Sequence, residues 1–168
     1  MSAVPNSPRL LSDDAYRMID RALAKYPADQ RLSAVMAALA IAQRELGWCS
    51  QAVIDEIAAY IGVMPMAVWE VATFYNMFNT KPVGKYKITV CTNLPCALSG
   101  GEHAGQVLRR KLGIDYKETT EDGRFTLIEG ECMGACGDAP VMLVNNERMC
   151  SFMTDERIDG LLAELKKD

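Results

Sequence analysis

The stretch YKITVCTNLPC, residues 86–96, opens as a strand and closes on a pair of cysteines. Tyr86–Cys91 alternates and is rich in β-branched side chains, the pattern of a half-buried strand. Cys91 and Cys96 stand at C-x4-C spacing, and a second pair, Cys132 and Cys136 in CMGAC, stands at C-x3-C. Two short loops that each carry two thiolates can close on an iron–sulfur cluster, since a [2Fe–2S] centre takes four cysteine ligands. Zinc is the chemical rival, because it also accepts four thiolates. Its structural knuckles run from C-x2-C to C-x4-C, so both spacings lie toward the wide end of that range. The flanks favour a cluster. Gly134 and Gly137 in CMGACGD permit backbone amides to turn toward sulfur, and such donors help set a cluster's potential. Leu94, Met133 and Ala135 offer apolar cover. A thiol–disulfide enzyme would carry C-x-x-C, which is absent from the chain.

Outward from this stretch, Gly101–Leu112 reads as a helix with Val107, Leu108 and Leu112 inward. A strand is expected at 115–119 and a stronger one at Phe125–Ile128, after the Asp122-Gly123 turn. Pro140–Val144 reads as an apolar strand, Asn145-Asn146 as a turn, and Met149–Ser151 as a short return strand. Thr154 caps a last helix that carries Ile158, Leu161, Leu162 and Leu165 on one side. A β-α-β order followed by a hairpin and a helix is the layout of a thioredoxin-like half. In it the cysteine pairs lie just past the first and third strands, whose ends can sit side by side at one edge of a sheet.

The residues before this region read as helices. Ser12 with Asp13 and Asp14 forms a capped acidic first turn, followed by Tyr16, Ile19 and Leu23 at helical spacing, and Pro27 ends that element. Leu32, Val35, Met36, Leu39 and Leu46 recur at helical intervals over Arg31–Leu46, and Gly47 can close that helix. Ser50 caps a third, with Val53, Ile54, Ile57 and Ile61 on one face and Gly62 after it. Pro65 suits the first turn of a fourth, which runs through Val68, Val71, Ala72 and Tyr75 toward Phe78. NTKPVGK (79–85) marks a linker. The expected fold is therefore α+β: a helical bundle over 1–81, its first eleven residues flexible or ordered by a partner, then a thioredoxin-like [2Fe–2S] ferredoxin domain over 82–168.

A net charge of −4, with no Lys/Arg-rich run, argues against a nucleic-acid partner. No apolar run approaches the roughly 20 residues that span a bilayer. The N-terminus lacks the basic and apolar regions of a secretory signal. A cytoplasmic chain is expected, and stable disulfides are rare there. Neither G-x-G-x-x-G nor a P-loop occurs, so an organic electron donor would have to be bound by another chain. Cys49 and Cys150 stand apart from the pairs and read as buried packing residues. His103, the one histidine, reads as exposed or capping; a Rieske-type site needs two. The ten methionines have no repeating spacing and read as core filling or adaptable contacts. Trp69, Phe74, Tyr75 and Phe78 read as helix core, with a partner surface as the sharper alternative.

VATFYNMFNTKPVGKYKITVCTNLPCALSGG (71–101), together with DGRFTLIEGECMGACGDAPVM (122–142), closely resembles the family of E-type subunits of NADH:quinone oxidoreductase, respiratory complex I: its thioredoxin-like [2Fe–2S] ferredoxin subunits. The resemblance extends through IAQRELGWCSQAVIDEIAAYIGVMPMAVWEVATFY (41–75) and so covers nearly the whole chain. It implies that Cys91, Cys96, Cys132 and Cys136 match the four iron ligands of one [2Fe–2S] cluster, with no catalytic residue on this chain. It further implies a partner flavoprotein subunit that binds NADH and FMN, other peripheral-arm subunits of complex I, and a place at the cytoplasmic side of the inner membrane without insertion. Related subunits occur in NAD-reducing hydrogenases and formate dehydrogenases. VATFYNMF and the length favour the respiratory enzyme. A zinc-stabilised interaction module remains the alternative from a different class.

Overall fold

The computed structural model describes residues 9–167. They form two compact units, one ending at Pro82 and the other beginning at Val83.

In the first unit, α1 (Asp13–Leu23) starts where the Ser12 hydroxyl accepts a hydrogen bond from the Ala15 amide at 3.2 Å. It buries Ala15, Tyr16, Ile19 and Ala22. Arg31–Ala34 is a single 3-10 turn rather than the start of an α-helix, and α2 (Val35–Leu46) follows it. Leu32, Met36 and Leu46, which recur at helical intervals in the sequence, are exposed. The inner face of α2 is instead Val35, Ala38, Leu39 and Ala42, and its small alanines let neighbouring helices approach. The Ser50 hydroxyl caps α3 (Gln51–Ile61) by accepting from the Val53 amide, and Gly47 and Gly62 end α2 and α3 in left-handed conformations. Only glycine adopts that conformation without cost to a Cβ. Pro65 opens α4 (Pro65–Phe74). α2 packs against α1, α3 and α4, and α3 packs against α4.

The fourth helix stops short of its expected end. Tyr75 takes an extended backbone (φ −92°, ψ 119°), so a turn rather than a further helical turn brings Phe78 into the core. Gln43 holds that turn, accepting from the Asn79 amide at 2.6 Å and donating to the Met77 carbonyl at 2.8 Å. Phe74 is left 80% exposed and Tyr75 40%, which corrects their reading as helix core. At the other end, the Glu56 carboxylate accepts from the amides of Leu10 and Leu11 and from the Tyr16 hydroxyl, and Leu11 is buried. Residues 1–8 of the segment expected to be flexible lie outside the described residues.

The second unit is a four-stranded sheet in the spatial order Phe125–Gly130, Tyr86–Cys91, Met142–Val144, Arg148–Cys150. β1 (Tyr86–Cys91) runs parallel to β2 (Phe125–Gly130) and antiparallel to β3 (Met142–Val144), which pairs antiparallel with β4 (Arg148–Cys150). A short helix, α5 (Leu94–Leu98), lies inside the first cysteine loop, and α6 (Gly101–Leu112) is the crossover between the parallel strands. α7 (Asp155–Leu165) follows β4, capped by the Thr154 hydroxyl. Val107 and Leu108 of α6, with Ile158 and Leu162 of α7, share a core with Ile88, Val90, Leu127 and Met142 of the sheet. Lys111 and Asp159 link the two helices at 2.6 Å.

The strand expected at 115–119 is not formed. Lys117 takes a φ of 69°, and Thr119 makes one isolated antiparallel bridge to Thr126. A left-handed residue in the middle of the segment breaks the run of extended backbone that pairing needs. Asn145 and Asn146 do turn the β3–β4 hairpin, with φ of 52° and 59°, as a primed two-residue turn requires.

Among the described residues, Lys87 and Thr126 are the buried polar side chains of this unit. Burial pulls the Lys87 ammonium down from its usual range to about 8. Between about pH 8 and the unfolded value, the unfolded chain then binds more protons than the folded one, so this group adds stability as pH rises. In Lys87→Met that contribution is absent. Chemical denaturation at pH 7.5 and 10 is expected to give a pH-dependent gain in the parent larger by about 1–3 kcal/mol than in the variant. Parallel pH curves for the two proteins would show that Lys87 carries no burial penalty.

Candidate iron–sulfur site

Parallel pairing of β1 with β2 decides where the cysteines meet. Register places Cys91 opposite Gly130, so the loops leaving both strands emerge at the same sheet edge. The Thr92 amide bonds the Gly130 carbonyl at 3.2 Å, continuing the ladder one step past the strands. Two side-chain links then tie loop to loop: Thr92 Oγ1 donates to Glu129 Oε1 at 3.0 Å, and Asn93 Nδ2 donates to Glu131 Oε2 at 3.0 Å.

The four thiols sort into an inner and an outer pair. Cys91 and Cys96 are 2% and 1% exposed and pack with Val141, under partial cover from Met133, Ala135 and Ala139. Cys132 and Cys136 are exposed, and their sulfurs lie 3.6 Å apart. Two thiolates on one tetrahedral metal, with metal–sulfur bonds of about 2.3 Å, would stand about 3.8 Å apart. The outer pair is therefore already spaced to share an iron. Among the described residues, no three Cys, His, Asp or Glu side chains converge on a single ion position. Two pairs of thiols are what a two-iron cluster takes, two on each iron.

Electrostatics points the same way. The Cys96 thiol is pushed up by burial and by its hydrogen bond to Cys91, and the Val141 amide hydrogen-bonds its sulfur and pulls it partly back. The Cys136 thiol is raised first by its hydrogen bond with Cys132 and then by charge repulsion from Cys132 and Cys91. Crowded thiols resist ionising until a cation shares their charge, which is the condition of a metal-binding set.

Gly134 donates its amide to Cys132 Sγ at 3.4 Å, with a φ of 76° that brings the N–H round to the sulfur. The expected donor role of Gly134 is thus met, whereas Gly137 is not seen to donate to sulfur among the described residues. Val141 as a donor on the inner pair was not foreseen from sequence, and neither were the two glutamate links. A buried amide one residue before a strand leaves no mark in composition or spacing.

The other cysteines lie elsewhere. Cys49 is buried in the helical unit, its thiol bonded to the Leu39 carbonyl and pushed up to about 11 by burial. Cys150 is buried at the end of β4, where burial again raises its thiol. His103 is exposed and bonded through Nε2 to Asp155 at 2.9 Å, at the start of α7. Met142 and Met153 fill the core of the second unit, while Met64 and Met66 are exposed on the first.

Residues 19–166 match the sequence profile of the thioredoxin-like [2Fe–2S] ferredoxins. The chain belongs to that family. The E-type subunit of the NADH-quinone oxidoreductase of Rickettsia felis is 44% identical over 86% of this chain and 86% of its own length. NADH-quinone oxidoreductase subunit 2 of Thermus thermophilus is 40% identical over 92% of this chain and 85% of its own. An NAD+-reducing [NiFe]-hydrogenase in the air-oxidised state shares the fold, with a TM-score of 0.70 at 24% identity; the match covers 84% of this chain and 24% of the hydrogenase chain. The fold class is thus α+β with a thioredoxin-like ferredoxin domain. No described helix is long and apolar enough to cross a membrane.

Proposed function

We propose that Cys91, Cys96, Cys132 and Cys136 ligate one [2Fe–2S] cluster and that this chain is the corresponding electron-transfer subunit of an NADH:quinone oxidoreductase. When bound, such a cluster takes up and returns one electron at a time. The observation that carries the reading is the meeting of two cysteine pairs at the common edge of β1 and β2, one pair already at the separation of two ligands on one metal.

Each part of the site has a task in this reading. The buried Cys91 and Cys96 would hold one iron, the Val141 amide offsetting charge on the Cys96 sulfur. The exposed Cys132 and Cys136 would hold the other on the side open to a partner. Solvent and the Gly134 amide moderate the negative charge of a four-thiolate centre there, and both raise a cluster's potential. NADH and FMN would be bound by a partner flavoprotein subunit, which would supply single electrons to this chain. The assembly lies at the cytoplasmic side of the inner membrane, joined to it through other subunits. The diaphorase part of a hydrogenase or formate dehydrogenase would use the same site with different neighbours. Relatives at 40% identity and above, over most of the chain, favour the respiratory assembly.

The test is metal analysis with electron paramagnetic resonance on anaerobically purified protein. Expected are about two irons and about two acid-labile sulfides per chain, no signal when oxidised, and a rhombic signal after dithionite. Zinc without sulfide, in a folded and spectroscopically silent chain, would convert the reading to a structural module.

A further inference from the structure

Gly101 opens α6 directly behind the loop that carries the inner cysteine pair, and it is buried. A Cβ at this position would lie 2.7 Å from the Cys91 carbonyl oxygen, 2.8 Å from that of Cys96, and 2.9 Å from the Cys96 carbonyl carbon. Real Cβ contacts essentially never fall under 3.0 Å, and all three neighbours here are backbone, so no side chain can rotate to make room. Gly100, just before it, has a different reason to be glycine. Its φ is 95°, and nothing would meet its Cβ. Gly105, one turn further along α6, would meet the Tyr116 hydroxyl, the movable end of a side chain.

The contact at Gly101 falls on the two residues whose thiols form the inner pair, and on both at once. Cys91 is held from another side by its amide bond to the Val141 carbonyl at 3.1 Å, and the Val141 amide faces the Cys96 sulfur. The inner pair is thus fixed between Val141 and the first residue of α6. Nothing comparable among the described residues seats the exposed outer pair.

We propose that Gly101 is a positioning residue for the iron–sulfur centre: its missing side chain lets the first turn of α6 seat against the Cys91 and Cys96 carbonyls and so sets the spacing and direction of the inner thiols. The proposal rests on the assignment of those cysteines as ligands. A methyl group at position 101 must displace one or both carbonyls, and with them the Cα–Cβ vectors that aim the sulfurs. Its first effect is on cluster geometry, not on the hydrophobic core.

Gly101→Ala and Gly105→Ala, each in the full chain loaded with its cluster, separate the two kinds of effect. Gly101→Ala is expected to keep its far-ultraviolet circular dichroism but to shift the visible circular dichroism and the reduced-state g values. It should also lose iron to a chelator roughly tenfold faster, the change that about 1.4 kcal/mol makes in a rate. Gly105→Ala is expected to melt at a lower temperature with cluster spectra unchanged. Superimposable spectra for Gly101→Ala and parent overturn the proposal, as do equal spectral shifts in both variants. Unfolding of iron-free Gly101→Ala overturns it too, because Gly101 would then serve the fold at large. An intact cluster in Cys96→Ala would instead sink the ligand assignment, whatever Gly101→Ala does.

Discussion

Cys96→Ala and Cys132→Ala, each made in the full chain, are expected to lose the visible absorbance and the reduced-state resonance of a [2Fe–2S] cluster. Removing even a supporting neighbour of a metal ligand commonly costs about 10–100-fold in affinity, and removing a ligand outright costs more. The two variants should differ in what else they lose. Cys96 is buried against Cys91 and Val141, so its truncation also opens a small void and weakens the iron-free chain by about 1 kcal/mol. Cys132 is exposed, and its truncation should leave the melting of the iron-free chain unchanged. Cys49→Ser and Cys150→Ser complete the comparison. Both replace buried thiols outside the site and should retain a normal spectrum, at a stability cost of about 1–3 kcal/mol for the buried hydroxyl. A normal cluster in Cys96→Ala or Cys132→Ala would break the quartet, and so would its loss from a folded Cys49→Ser or Cys150→Ser.

The placing of both cysteine pairs at one end of the sheet was legible because its information is local. Each pair lies within one loop, and each loop follows a strand that the apolar pattern announces: Ile88 and Val90 before Cys91, Phe125 and Leu127 before Cys132. Once both strands are taken as neighbours, parallel pairing brings their loops together without further detail. Capped helices were equally legible, since Ser12, Ser50 and Thr154 act within one turn of their own position.

What sequence did not disclose depends on partners distant in the chain. Nothing in the sequence singles out Glu129 and Glu131; only the approach of Thr92 and Asn93 gives them a task. Val141 lies in an apolar run whose pattern reports burial and says nothing of a free amide. Leu94–Leu98 forms a single helical turn, too short for periodicity to signal it. Phe74 was misjudged for a related reason. Its aromatic character grouped it with Trp69, Tyr75 and Phe78, but the helix ends at Phe74 and leaves its ring exposed. Apolar character alone does not distinguish a core position from the last residue of a helix.

Removal of iron is expected to loosen the two cysteine loops unequally, and the inner/outer division predicts which one opens. Without metal, the exposed 131–137 loop keeps the weak Gly134 amide bond to Cys132, the Asp138 amide bond to the Ala135 carbonyl at 3.0 Å and the Asn93 link to Glu131, with anchors at Gly130 and at Asp138. Asp138 is fixed by accepting from the Phe152 amide at 2.8 Å and from Ser151 Oγ at 2.9 Å, so fraying should stop there. The inner loop has more to hold it: Cys91 is in the ladder, Cys96 is buried, and the Ala97 and Ser99 amides bond back to Asn93 and Cys96. Amide hydrogen exchange across 132–137 should therefore accelerate by at least about 10³-fold on iron removal, equivalent to about 4 kcal/mol of local opening energy. Exchange at 88–91 and at Val141 should change far less. Equal acceleration of both loops would mean that the inner pair is assembled by the metal rather than by the fold. Unchanged exchange at 132–137 would mean that the outer pair is not bound to iron at all.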